Sequence, residues 1–174
     1  MLLKNGMELL ISKATKADAE AIIKYLNLVG GESDNLLFGQ NGFHMDVESE
    51  EKFIENINLS DKSALFVGKI NGKTVCVGSI QSPNRERISH QCDIAVSVKR
   101  DFWNIGIGTE LMKTLINFAK NTRQIEIIHL GVRADNINAI KLYKKMGFSE
   151  IGLYKRFFKI NGEYADEILM NLYL

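Results

Sequence analysis

The stretch Trp103-Asn104-Ile105-Gly106-Ile107-Gly108 joins a β-branched run, Ile94 to Val98, to a segment of helical period that leads toward Lys120. A strand, a glycine turn and a helix start together make an anion cradle. The glycines let backbone approach a ligand closely, and the first N–H groups of the helix, which have no intrahelical acceptor, point at it with the positive end of the helix dipole. The ligand expected there is a pyrophosphate. Further on, Asn136, Ala139, Tyr143, Gly147 and Phe148 punctuate a second helical segment. A phenol keeps its proton at neutral pH and can deliver it over hydrogen-bond distance. Tyr143 also fits an ordinary core face with Ala139, Ile140 and Met146, so the residue alone leaves both roles open. Alternation along the earlier strand places Ile94, Val96 and Val98 on one face and Asp93, Ala95 and Ser97 on the other. Asp93 is a candidate proton acceptor there, or a strand carboxylate satisfied by backbone donors. His90, just before the strand, is a weaker candidate, and His44 and His129 have no ligand spacing.

Together these segments resemble the GCN5-related N-acetyltransferases (GNAT), whose phosphate loop reads Gln/Arg-x-x-Gly-x-Gly/Ala and whose later helix reads Asn-x-x-Ala-x-x-x-Tyr-x-x-x-Gly-Phe. The chain matches at Gly106 and Gly108, and again at Asn136, Ala139, Tyr143, Gly147 and Phe148. Trp103 departs from the pattern, standing where Gln or Arg is usual. Because backbone N–H groups do most of the holding, this change is expected to alter packing more than binding. The resemblance looks close to the branch that acetylates protein N-termini, polyamines and related amines, and it runs from Glu8 to Leu174.

The resemblance implies acetyl-coenzyme A as co-substrate and no metal. Its pantetheine arm is expected along the strand, with backbone hydrogen bonds around Val96, Ser97 and Val98. Its pyrophosphate is expected on the N–H groups of Asn104, Ile105, Gly106, Ile107, Gly108 and Thr109. Asn136 would touch the arm or the adenosine side, cap its own helix, or do both. Tyr143 would protonate the departing thiolate, and Asp93 would relieve the attacking amine of its proton. Lys99 and Arg100 could meet the 3′-phosphate or simply be solvated. Neither cysteine lies in a motif helix or beside an activating base, which argues for direct attack in a ternary complex. The acceptor is a small-molecule or peptide amine. A non-catalytic module that binds or senses acyl-coenzyme A is the alternative. A dinucleotide-binding domain fits less well, since Leu111 occupies the place of the third glycine in G-x-G-x-x-G.

The 174 residues suit a single domain spanning 1–174, and a net charge of +1 offers no general field for nucleic acid. Cys76 and Cys92 read as buried reduced thiols. The N-terminus has no signal-type apolar region and no run is long enough to span a membrane, so a cytoplasmic protein is expected. A homodimer is compatible with the sequence, which does not fix the oligomeric state.

To position these groups, the chain reads as a strand over Glu8 to Lys13 and a helix from a Thr15–Asp18 capping box to Leu28, with Ala19, Ile22, Ile23 and Leu26 inward. Val29 to Asp46 lacks any period and reads as a mobile, partly apolar loop suited to choosing the acceptor. A helix follows from Ser49 to Ile57, where Glu48, Glu50 and Glu51 suit a solvated helix start or, with Asp46, a polycation. Asn71-Gly72 and Asn161-Gly162 mark hairpins between Ser63–Ile70 and Lys73–Gln81, and between Ile151–Ile160 and Tyr164–Leu174. Ile127 to Val132 reads as a central strand buried on both faces. The order β-α-α-β-β-β-α-β-α-β-β predicts an α/β domain of GNAT type: one mixed, mostly antiparallel sheet with helices on both faces.

Overall fold

The computed structural model describes residues 1–174. Its elements are β1 (Leu10–Lys13), α1 (Ala19–Val29), α2 (Val47–Asn58), β2 (Ala64–Ile70), β3 (Lys73–Gln81), β4 (Gln91–Val98), α3 (Ile107–Thr122), β5 (Ile127–Arg133), α4 (Ile137–Lys145), β6 (Ser149–Ile160) and β7 (Glu163–Tyr173). This is the expected succession. The seven strands form one sheet in the order β1-β2-β3-β4-β5-β7-β6, antiparallel throughout except where β4 meets β5.

Two apolar clusters flank the sheet. One gathers inward residues of β2 to β5 with Leu111, Leu115 and Ile140 of α3 and α4. The other packs Leu65, Val67 and Val77 under Ile22 and Tyr25 of α1 and Ile54 of α2. Both hairpin turns are left-handed at both central residues, Asn71 (φ 49°) with Gly72 (φ 76°) and Asn161 (φ 51°) with Gly162 (φ 88°). That conformation matches the twist of the strands it joins. Both cysteines are buried and reduced.

Three expectations are corrected, and the Thr15–Asp18 capping box is borne out. The inward face of α1 is Ala19, Ile22, Tyr25 and Val29, so Tyr25 replaces Ile23 as the large core residue. At Thr15, the Asp18 carboxylate accepts from both the Thr15 N–H (2.8 Å) and its hydroxyl (3.0 Å), and the first turn is a short 3₁₀ segment. Glu50 is not part of a solvated helix start: it is 1% exposed, and burial pushes its carboxyl above the ordinary value. Strand β5 buries Ile128, Leu130 and Val132 only, while Gly131 on its other face is exposed.

The 30–46 loop is also more built than expected. The Asn27 side chain donates to the Phe43 carbonyl (3.3 Å) and accepts from the Phe43 N–H (3.1 Å). The Phe38 and Phe43 rings pack together at 5.6 Å. Gly30 lies so near Gly39 that a side chain would meet its carbonyl.

Candidate active site

The parallel pairing of β4 and β5 covers Gln91–Ile127, Cys92–Ile128 and Asp93–His129 and then stops, whereas β4 stays paired with β3 as far as Val98–Cys76. The sheet therefore splits from Ile94 onward. Lys99 donates its N–H to the Val75 carbonyl at 2.9 Å, which fixes the alternation of the antiparallel ladder. Residues 95 and 97 share that direction, so the peptide groups of Val96 and Val98 face the split. There they form a strand edge with no neighbouring strand. The backbone of Ser97 turns toward β3, and its hydroxyl accepts from Tyr25 at 3.1 Å.

A cavity of about 360 Å³ fills the split. Val96, Ser97 and Val98 line one wall, Asn104, Gly106, Gly108 and Thr109 the base of α3, and Asn136 and Tyr143 the α4 side. The sequence motifs thus converge on one place. Ile105 and Ile107 do not line it: Ile107 is buried in the core and Ile105 packs against it, so only their backbone could serve a ligand.

The turn entering α3 is left-handed at Asn104 (φ 63°) and at Gly106 (φ 104°). Glycine is required at 106, where any side chain would be strained. The first backbone N–H of the helix with a partner is that of Glu110, bonded to the Gly106 carbonyl. Those of Ile107, Gly108 and Thr109 precede it and lie at the positive end of a 16-residue helix. Gly108 keeps the approach close: a Cβ there would stand 3.3 Å from Leu142 Cδ2 and 3.9 Å from Val98 Cγ2.

Trp103 explains its own departure from the motif. Its indole N–H donates to the Val98 carbonyl at 2.7 Å, and the Arg100 guanidinium lies over its ring at 5.7 Å. One of the acceptors facing the split is thereby held by a side chain of the loop. Asn136 caps α4 through Ala139 (3.3 Å) and also lines the cavity. Tyr143 is 7% exposed, and burial pushes its phenol up to about 12, so it stays protonated across the physiological range.

Asp93 is exposed at the closed end of the split, paired with His129, and does not line the cavity. Lys99 pairs with Asp101 at 3.0 Å. Sequence reasoning missed Lys4, which lines the cavity from the N-terminal segment. No local pattern marks it, since the fold alone carries it there. The loop contributes Glu32, Ser33, Asn35 and Leu36 to the wall.

The GNAT acetyltransferase domain model matches residues 11–169. The chain is 35% identical over 114 residues to the L-amino acid N-acetyltransferase AaaT of Escherichia coli, covering 64% of this chain and 70% of that protein. It is 28% identical to an N-alpha-acetyltransferase of Sulfurisphaera tokodaii over 93% of this chain and 92% of that one. The crystal structure of a GNAT-family acetyltransferase from Streptococcus pneumoniae superposes with a TM-score of 0.93 at 29% identity, covering 96% of this chain and all of that one. No helix is long and apolar enough to cross a membrane. A split sheet with free helix N–H groups at its base suits an extended arm ending in a pyrophosphate, and the chain belongs to the GNAT family as an acetyl-CoA-dependent acyltransferase.

Proposed function

We propose that this protein transfers the acetyl group of acetyl-coenzyme A to a primary amine by direct attack, with both substrates bound together. One observation carries the reading. The strand edge at Val96 and Val98, which has no neighbouring strand, the free N–H groups opening α3 and the buried phenol of Tyr143 meet in a single cavity. The cradle fits the group: glycines at 106 and 108 keep side chains out of the space where phosphate oxygens would approach the backbone.

Acetyl-coenzyme A supplies an activated acyl group on a thiol leaving group. Each residue then has one task. Ile107, Gly108 and Thr109 hold the pyrophosphate by N–H donation, with Asn104, Ile105 and Gly106 shaping the turn. Val96 and Val98 extend the sheet to the pantetheine arm, sharing the Val98 carbonyl with Trp103, and Ser97 adds its side chain to the wall. Asn136 fixes the start of α4, so that Tyr143 presents its hydroxyl to the departing sulfur. Both cysteine thiols are buried, with Cys76 and Cys92 pushed up to about 12, which supports direct attack over a thioester relay.

The acceptor is a small-molecule or peptide amine. Relatives bear the names L-amino acid N-acetyltransferase, N-alpha-acetyltransferase and spermidine N(1)-acetyltransferase, which support amino acids, protein N-termini and polyamines as the classes to test. A thiol-release assay with L-methionine, the peptide Ala-Ala-Ala and spermidine decides among them. Release above background with at least one establishes the transferase. Tight binding of acetyl-coenzyme A with no release on a broad amine panel would instead favour a non-catalytic sensing module.

A further inference from the structure

Gly131 lies two residues beyond the last β4–β5 pair, on the lip of the split. Its φ is not left-handed, so no turn demands a glycine. The demand comes from another side chain. A Cβ on Gly131 would stand 2.5 Å from Glu167 Cδ and collide with Oε1, so the Glu167 carboxylate occupies the space a side chain at 131 would fill. Glu167 reaches it from β7, diagonally across the ladder, since Leu169 is the partner of Gly131 and Arg133 that of Glu167.

The partner arginine does not neutralise this carboxylate. Arg133 donates to the Asp34 carbonyl at 3.0 Å and to the Asp135 carboxylate at 3.0 Å, turned away toward the loops. His129, two residues back on β5, is held by Asn171 at 2.7 Å. The other titratable groups on this part of the sheet are Asp93 of β4 and Tyr154, the β6 partner of Glu167. Partial burial raises the Glu167 carboxyl and the charge of His129 opposes the rise. An unpaired, half-buried carboxylate at the mouth of a split sheet suits a cation from outside the chain.

The side of the sheet also matters. Leu130, Val132 and Met170 pack with Tyr143 in the α3–α4 cluster, so Gly131 and Glu167, which alternate with them, face the opposite side. Neither Glu167 nor Asp93 lines the cavity itself. Of the two, Glu167 stands where β4 and β5 have parted, while Asp93 stands where they are still paired. An acceptor arriving on the Gly131 face would attack away from Tyr143, leaving the sulfur to depart toward the phenol.

We propose that the Glu167 carboxylate receives the ammonium group of the acceptor and takes its proton, directly or through one water. The inference rests on the acyl-transfer reading above. Glu167 accepts one proton, the freed nitrogen lone pair forms the C–N bond at the thioester carbonyl, and the C–S bond breaks. Tyr143 protonates the sulfur, and the second nitrogen proton returns through solvent to the phenolate. Glu167 then releases its proton to water, so each acetylation of an ammonium acceptor yields one amide, one thiol and one proton.

The test uses whichever of L-methionine, Ala-Ala-Ala or spermidine the wild-type protein acetylates. Glu167→Gln should lower kcat/KM at neutral pH by about 100-fold or more, the usual least contribution of a positioned base. The acid limb of its pH profile should move up from the carboxyl range to the pKa of the acceptor, about 8 for the α-amine of a peptide such as Ala-Ala-Ala, higher for the free amino acid, or about 10.4 for a lysine-like amine. A merely structural glutamate would leave that limb in place. Gly131→Ala, which displaces the carboxylate, should give the same shift even if Glu167→Gln folds poorly. Independently of turnover, the carboxyl ¹³C signal that Glu167→Gln removes should shift when the acceptor is added to the protein with coenzyme A. An unchanged limb in both variants, a silent carboxyl signal, or the same limb shift from Asp93→Asn instead would overturn the assignment. Failure of the wild type to acetylate any amine would strike the transferase reading itself.

Discussion

Replacing Gly108 by valine tests the phosphate cradle at its narrowest point. A Cβ at 108 would by itself stand 3.3 Å from Leu142 Cδ2, so valine's two methyls must push either against Leu142 or into the cavity. Crowding of this kind costs about 1–3 kcal/mol, partly offset by roughly 0.4 kcal/mol because valine is a better helix former than glycine. The net loss of about 0.6–2.6 kcal/mol should lower Tm by roughly 1–10 °C in a domain of this size, leaving it folded at 25 °C. Binding should suffer more. Each N–H bond to a charged phosphate oxygen is worth about 1.5–3 kcal/mol, and valine would obstruct those of Gly108 and Thr109. Loss of one or both bonds weakens Kd by roughly 10- to 10⁴-fold. Titration calorimetry with acetyl-coenzyme A, alongside a thermal melt, measures both effects. A folded variant with the wild-type Kd would refute the assignment of the phosphates to the start of α3.

Tyr143→Phe should lower kcat by roughly 100- to 10,000-fold with acetyl-coenzyme A affinity retained, and should recover on a donor with a more acidic thiol. Equal steady-state rates, with chemistry shown to limit turnover, would remove the phenol from the mechanism. Because Phe38 and Phe43 brace the loop that brings Leu36 to the cavity, Phe38→Ala should change KM for the acceptor far more than KM for acetyl-coenzyme A. Equal effects on both would mean that the ring merely supports the fold. The raised thiols of Cys76 and Cys92, 9.0 ordinarily and about 12 when folded, leave stability intact below pH 9 and erode it as pH rises toward 12. Between about pH 9 and 10.5 each thiol should cost about 2 kcal/mol. Urea denaturation should show a smaller alkaline loss for Cys92→Ala than for wild type, and an identical slope would exclude the thiol as its source.

The architecture was legible because its signals are local. Asn71-Gly72 and Asn161-Gly162 carry their turn geometry in two residues each, and the period of α3 is visible from Ile107 to Leu115. The cofactor side of the site was legible for the same reason, since Gly106, Gly108, Asn136 and Tyr143 lie in contiguous motifs. What escaped depends on strand neighbours far apart in sequence. The open face of β5 could not be read from Ile127 to Val132, because apolar Ile127 hides the alternation and nothing local shows that α1 and α2 cover β2 and β3 instead. The contact between Gly131 and Glu167 spans 36 positions and depends on the β5–β7 register. Glu50 looked like a helix-start charge, and its place in the inner turn emerged only with the packing of α2.

The parting of β4 from β5 makes the molecule two half-sheets hinged on three residue pairs, Gln91–Ile127 to Asp93–His129. On one side stand β1 to β4, on the other β5 to β7. A hinge with so few ladder bonds is a soft joint, and the two halves should breathe about it more readily than any other neighbouring strands slide. An extended ligand laid between them would behave as an eighth strand, spliced into the middle of the sheet from outside the chain. Its arrival would stiffen the joint as well as fill the gap. Amide exchange at Val96 and Val98 should then slow when coenzyme A binds, while exchange in the β2–β3 hairpin, which already has its partners, stays the same.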